Sequence, residues 1–173
     1  DSIMGVGLHY DGRSVRAAVC NYWGEEKAGA EQAAGNDFDK LMGETLPAML
    51  ASLLQSAGVD SQSVRSLGLC IPGAVDTQNA HVELGPLSGI RITTPPAVLA
   101  QALCEKTGLP LYLFNDVNAA AKGEYVLRKL NEDDLVYISI SEGIGAGILL
   151  DGKLRTGKHF YTGEIAHIVC DAD

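Results

Sequence analysis

The chain has 173 residues, 46% apolar and 20% charged, with 20 glycines and 6 prolines, which excludes disordered and fibrous classes. Thirteen Lys and Arg against 22 Asp and Glu leave a net charge of -9, and an acidic surface repels phosphate backbones, so nucleic-acid binding by this chain alone is not expected. Four widely spaced cysteines without a CxxC pair, no signal-peptide pattern and no apolar run near the roughly 18 residues of a membrane helix point to a cytoplasmic protein with reduced thiols and no membrane contact.

The predicted elements follow in order. "IMGVGLHY" (3–10) reads as a buried strand, "DGR" (11–13) as a turn and "SVRAAVCNY" (14–22) as a second strand. A weaker third strand falls within 23–34. Asn36 or Asp37 caps a long amphipathic helix carrying Leu41, Leu46, Met49, Leu50, Leu53 and Leu54, which Gly58 ends. "VRSLGLCIPG" (64–73) is a buried strand leaving through a Pro-Gly corner, and 74–93 is a loop without a strong pattern. A helix starts at Pro95-Pro96 and closes at Gly108. "LPLYLFND" is a strand, 117–130 a helix, 133–143 and 144–152 a strand pair, 153–159 an exposed link, and 162–170 a turn plus strand. Three strands in a meander, followed by alternating helices and strands, predict an α/β fold with a mixed sheet. A boundary is expected near 130–134, with 131–173 the incomplete start of a second lobe, because roughly 40 residues cannot bury a core unaided. Both ends fall directly in strand patterns, from which a fragment of a longer protein is expected.

Four stretches carry chemistry. In "FNDVN" a carboxylate, Asp116, sits where a strand gives way to a helix; it either caps that helix or faces a ligand at the strand's carboxyl end. "SEGIGAGI" (141–148) places glycines at 143, 145 and 147 between two strands, for close ligand approach or for a tight hairpin; a dinucleotide fingerprint fails because no helix follows. "GEIAHI" (163–168) puts Glu164 and His167 three apart, where they converge on a small polar ligand, His167 binds a metal, or the histidine serves the fold. "CIPGAVD" (70–76) turns at Pro72-Gly73, ordinary turn chemistry when taken alone.

Together, in this order and spacing, "CIPGAVD", "FNDVNAAAKGE", "SEGIGAGILLDGKL" and "GEIAHIV" resemble the ROK family, named for repressors, open reading frames and kinases. The resemblance implies an actin-like, ribonuclease-H-like fold of two α/β lobes, the first at about 1–130, with a sugar in the cleft between them. It implies that Asp116 faces sugar hydroxyls, as general base in a kinase, with Asn115 its partner. Gly73 would approach the sugar through its backbone, and Glu164 and His167 would contact it near the anomeric end. The family histidine matching His167 also ligates a structural zinc with three cysteines of a later loop, so zinc is expected only in a longer protein.

Both phosphate motifs of family kinases are altered. Gly7 stands at the Asp position of Asp-x-Gly-Gly-Thr and His9-Tyr10 replace its glycines, while Ser141-Glu142-Gly143, followed by Gly145, replaces Gly-Thr-Gly. A carboxylate near a triphosphate repels it unless a metal intervenes, so ATP is not expected as a cofactor. That pattern resembles the family's transcriptional repressors: a sugar or sugar-phosphate sensor that reaches DNA through a separate helix-turn-helix domain and forms homo-oligomers at full length. The alternatives are an ATP-dependent sugar kinase and a sugar-blind oligomerisation lobe. Ala166 in place of a family glycine, and Gly85 in place of a family asparagine, imply a ligand other than glucose or a degenerate site.

Overall fold

Apolar residues alternate along the first strand. Val6, Leu8 and Tyr10 are buried while Gly7 faces out, which makes β1 (Met4–Tyr10) the centre of a half-covered sheet. The computed structural model describes residues 3–85, 88–131, 133–141 and 143–168. β2 (Ser14–Asn21) buries Val15, Ala17 and Val19 in the same way and pairs antiparallel with β1. The weakly signalled third strand exists as β3 (Glu26–Ala33), antiparallel to β2 and almost wholly exposed, which is why its hydrophobic pattern is faint. β4 (Val64–Ile71) runs parallel to β1, so the sheet is mixed, as expected.

Asp37 caps the first helix by accepting from Lys40 N at 3.0 Å. The helix is continuous but uneven: α1 (Phe38–Lys40), a π-helical turn (Leu41–Thr45), then α2 (Leu46–Ala57), with Gly58 closing it at φ 62°. It buries Phe38, Leu41, Met42, Leu46, Met49, Leu50 and Leu53 in one core with the strand residues. Tyr10 donates to Gly35 O at 2.7 Å, and burial, with Asp11 and Asp37 nearby, pushes its hydroxyl up to about 12.

Residues 74–93 hold more order than their sequence suggests. β5 (Ala74–Asp76) and β6 (His81–Glu83) form a short hairpin whose turn Asp76 organises by accepting from Gln78 N and Asn79 N. Strands of three residues are too short for alternation to register. Thr77 Oγ1 ties the hairpin to Leu113 O at 2.7 Å. α3 (Pro96–Thr107) ends at Gly108, and β7 (Leu111–Asn115) completes a five-stranded sheet in the order β3-β2-β1-β4-β7.

Asp39 anchors the segment before α3, accepting from Thr93 N, Thr93 Oγ1 and Thr94 N at 2.9, 2.7 and 2.9 Å. These bonds, the Thr93 amide first, hold its carboxyl down at about 2. A depressed pKa stabilises the fold fully above the usual 3.8 and is lost as pH falls through about 2. Asp39→Asn is therefore expected to flatten the acid limb of stability below about pH 4 in urea titrations at stepped pH, with the neutral-to-alkaline profile keeping its shape.

The chain divides into two compact units, Asp1–Phe114 and Asn115–Asp173. This boundary precedes the break expected near 130. In the second unit α4 (Asp116–Leu127) lies against a hairpin of β8 (Leu135–Ile140) and β9 (Ile144–Leu150), which β10 (Lys153–Leu154) extends. Glycines make that contact. A Cβ on Gly147 would stand 2.3 Å from Ala121 Cβ, and one on Gly145 would stand 3.3 Å from Val117 Cγ2. The glycines of "SEGIGAGI" at 145 and 147 thus admit the helix.

Candidate functional site

β7 passes into α4 without a loop, and the cap is Asn115. Its backbone is still extended (φ -65°, ψ 137°), and its side-chain oxygen accepts from Asn118 N at 2.8 Å. Asp116 is the first helical residue rather than the cap. Its Oδ1 accepts from Val117 N at 2.8 Å and from Asn115 Nδ2 at 3.1 Å. A half-buried carboxylate thus stands at the positive end of a twelve-residue helix, oriented by its neighbour's amide.

Glu164 and His167 are placed by Gly163. Its carbonyl accepts from Ala146 N and Ile165 N, both at 2.7 Å, pressing the turn onto β9. Gly163 has φ 97°, and a Cβ there would stand 1.8 Å from Ala146 O, so no other residue fits unchanged. The strand expected within 162–170 is, over its described part, a turn followed by a short 3-10 helix, Ile165–His167. The tight Gly163 turn leaves too little extended chain for pairing. His167 N donates to Glu164 O at 3.3 Å, and both side chains are exposed.

A small cavity of about 20 Å³ joins these parts within the second unit. Asn115 and Glu164 both line it, together with Asn118, Phe160, Thr162 and Gly163, whereas Asp116 and His167 do not. Of the sequence-predicted set the structure therefore brings Asn115 and Glu164 together, with Gly145 of the altered phosphate loop also on the wall and Asp116 adjoining Asn115. Asn118, Phe160, Thr162 and Gly163 were missed. Gly163 carries a usable signal in "TGE", a turn glycine directly before the carboxylate; Phe160, at φ 63°, carries none.

Gly73 belongs to the first unit and has its own reason to be glycine. It has φ 107°, and a Cβ would stand 2.5 Å from Glu83 O, across the β5–β6 hairpin. Gly7 and His9 lie on β1 beside an open groove of about 700 Å³, which Arg16, Glu31 and Cys70 also line. Arg16 and Glu31 pair at 3.2 Å with both side chains more than half exposed, an arrangement that adds little stability. At the adjoining turn, Asp11 Oδ1 accepts from Arg13 N at 2.8 Å and Ser14 N at 2.7 Å. Ser141 N donates to Gly143 O at 2.8 Å, and Gly143 is exposed; Glu142 lies outside the described residues. His167 supplies one metal donor where a structural zinc takes four, and among the described residues no three His, Cys, Asp or Glu side chains converge, so the residues present do not fit that metal.

The ROK family model matches residues 7–173. A curated relative, the xylose repressor of Caldicellulosiruptor bescii, is 29% identical over 169 residues, which cover 96% of this chain and 41% of that protein. Among solved structures, a ROK family transcriptional regulator homologous to the E. coli MLC protein superposes with TM-score 0.83 at 27% identity, covering 98% of this chain and 42% of that one. A ROK hexokinase from Thermus thermophilus gives TM-score 0.79 at 26% identity, covering 97% and 54%. The chain spans about two fifths of the length of the first two. No helix among the described residues is long and apolar enough to cross a membrane.

Proposed function

We propose that this chain, which belongs to the ROK family, is the sugar-binding effector part of a transcriptional repressor of carbohydrate use. Its fold is that of the family's actin-like regulators and kinases. Asn115, Asp116, Glu164 and His167 bind the sugar. Two carboxylates, an amide and an imidazole suit a ligand whose hydroxyls each donate and accept. The effector is a sugar or sugar phosphate, and D-xylose is the first candidate, because a relative aligned over 96% of this chain is a xylose repressor. DNA is contacted by a helix-turn-helix domain outside these 173 residues, in a cytoplasmic homo-oligomer. Sugar binding favours one arrangement of the DNA-reading domains over another, to the extent that its affinity differs between them.

One observation carries the choice of regulator over kinase. At the turn where family kinases use backbone amides and glycines for ATP phosphates, the amides of Arg13 and Ser14 are already held by Asp11. A carboxylate at that turn repels a phosphate, and Gly7 and His9 supply neither the aspartate nor the glycine of the kinase motif. The second reading is an ATP-dependent sugar kinase with Asp116 as general base, which the likeness to the hexokinase favours. ADP formation by the full-length protein with Mg-ATP and a panel of pentoses, hexoses and N-acetylhexosamines separates the two. No turnover above an Asp116→Asn control is expected; turnover that the control abolishes makes the protein a kinase.

A further inference from the structure

Asn118, which lines the cavity beside Glu164, carries an unpaired acceptor. Asn118 is only 8% exposed, and its Oδ1 is buried without a hydrogen-bond partner among the described residues. Its backbone N–H is engaged by the Asn115 cap, so the side chain stands inside the first turn of α4, where that bond fixes the backbone. Buried carbonyls are almost always paired, with protein or with ordered water. The cavity's volume, about 20 Å³, is room for one water and far below that of a sugar pocket. Its walls are apolar at Val117, Ala146 and Phe160 and polar at Asn115, Asn118, Thr162 and Glu164. Phe160 is held at φ 63°, a region that bulky residues rarely adopt and that persists only where the surroundings impose it.

We propose that Asn118 is a positioning residue: its Oδ1 accepts a hydrogen bond from one water in this cavity, and that water braces the 160–164 turn and orients Glu164. Thr162 and Glu164 are the polar groups of the turn that line the cavity and can complete the water's bonds. The consequence for sugar binding rests on the reading that Glu164 contacts the effector; the water itself does not.

High-resolution crystal structures of the unliganded full-length protein and of its Asn118→Leu variant test this. The leucine keeps the volume and removes the acceptor. The wild type is expected to show an ordered water about 2.7–3.0 Å from Asn118 Oδ1. The variant is expected to lose that water, with the 160–164 turn displaced and Phe160 released from the left-handed region. A dry cavity, a direct protein partner for Oδ1, or an unmoved turn in the variant overturns the proposal. Should Asn118→Leu fail to fold, the wild-type water decides alone. Titration with D-xylose adds the functional arm. Asn118→Leu is expected to weaken binding about 10-fold in the wild-type background and less than about 2-fold where Glu164 is already alanine, the coupling expected of residues joined through one water. Equal losses in both backgrounds overturn the link to Glu164. A displaced turn in a protein whose wild type binds no D-xylose leaves Asn118 as the positioning residue and rejects the effector assignment.

Discussion

Gly163→Ala is expected to weaken sugar binding by about 100-fold or more while the chain stays folded. The alanine Cβ would sit 1.8 Å from Ala146 O and 2.8 Å from Ala146 C, backbone atoms of a central hairpin strand that cannot move aside. The glycine's φ of 97° adds a conformational penalty for any L side chain. Relief comes from the turn, which must lift off β9 and release the paired bond from Ala146 N to Gly163 O. Glu164 and His167 travel with it. A misplacement of about 1 Å in a binding constellation costs about 10²-fold, and these two residues contribute half of the proposed polar set. Gly143→Ala is the control, since a Cβ there meets nothing within 4 Å. Calorimetric titration with D-xylose, beside a thermal melt of each variant, checks the result. Unchanged affinity in Gly163→Ala would remove Glu164 and His167 from the sugar site.

Asp116→Asn is expected to lose about 10- to 100-fold in sugar affinity at nearly unchanged stability, because hydrogen bonds to a charged group contribute about 1.5–3 kcal/mol. The helix itself does not depend on this carboxylate as its cap. Asn115 performs that role, and removing the negative charge from the first turn costs at most about 1 kcal/mol. Asn115→Ala has the opposite profile. It removes the cap, at about 1 kcal/mol of stability, and also the amide that orients Asp116. Urea denaturation paired with titration separates the two variants. Equal stability losses in both would mean that Asp116 serves the fold.

Much of this was legible in the sequence, for reasons visible in particular residues. The buried alternation of Val6, Leu8 and Tyr10 and the left-handed glycines at 58 and 108 mark elements by sterics that act locally. The strand-to-helix junction at Asn115-Asp116 was legible too, but not which residue caps. Both types cap well, and the choice rests on where the extended backbone ends. The β5–β6 hairpin escaped because three-residue strands carry no period. The boundary after Phe114 escaped because α4 packs with the following hairpin through Gly147 and Ala121, a contact set by tertiary approach. Within the proposed site, the Glu-x-x-His spacing pointed to Glu164 and His167, of which Glu164 lines the cavity. What holds them is Gly163 against Ala146, with Asn118 lining the cavity beneath, and this depends on distances that no spacing encodes.

The assignment as a sugar sensor is tested most directly by calorimetric titration of the full-length protein with D-xylose and related sugars, without nucleotide, in wild type and Asp116→Asn. Saturable binding of at least one sugar by the wild type, weakened at least about 10-fold in Asp116→Asn, is the expected result. Binding of no sugar by a folded wild type, or equal affinity in both proteins, would contradict it and leave the chain an oligomerisation lobe without an effector.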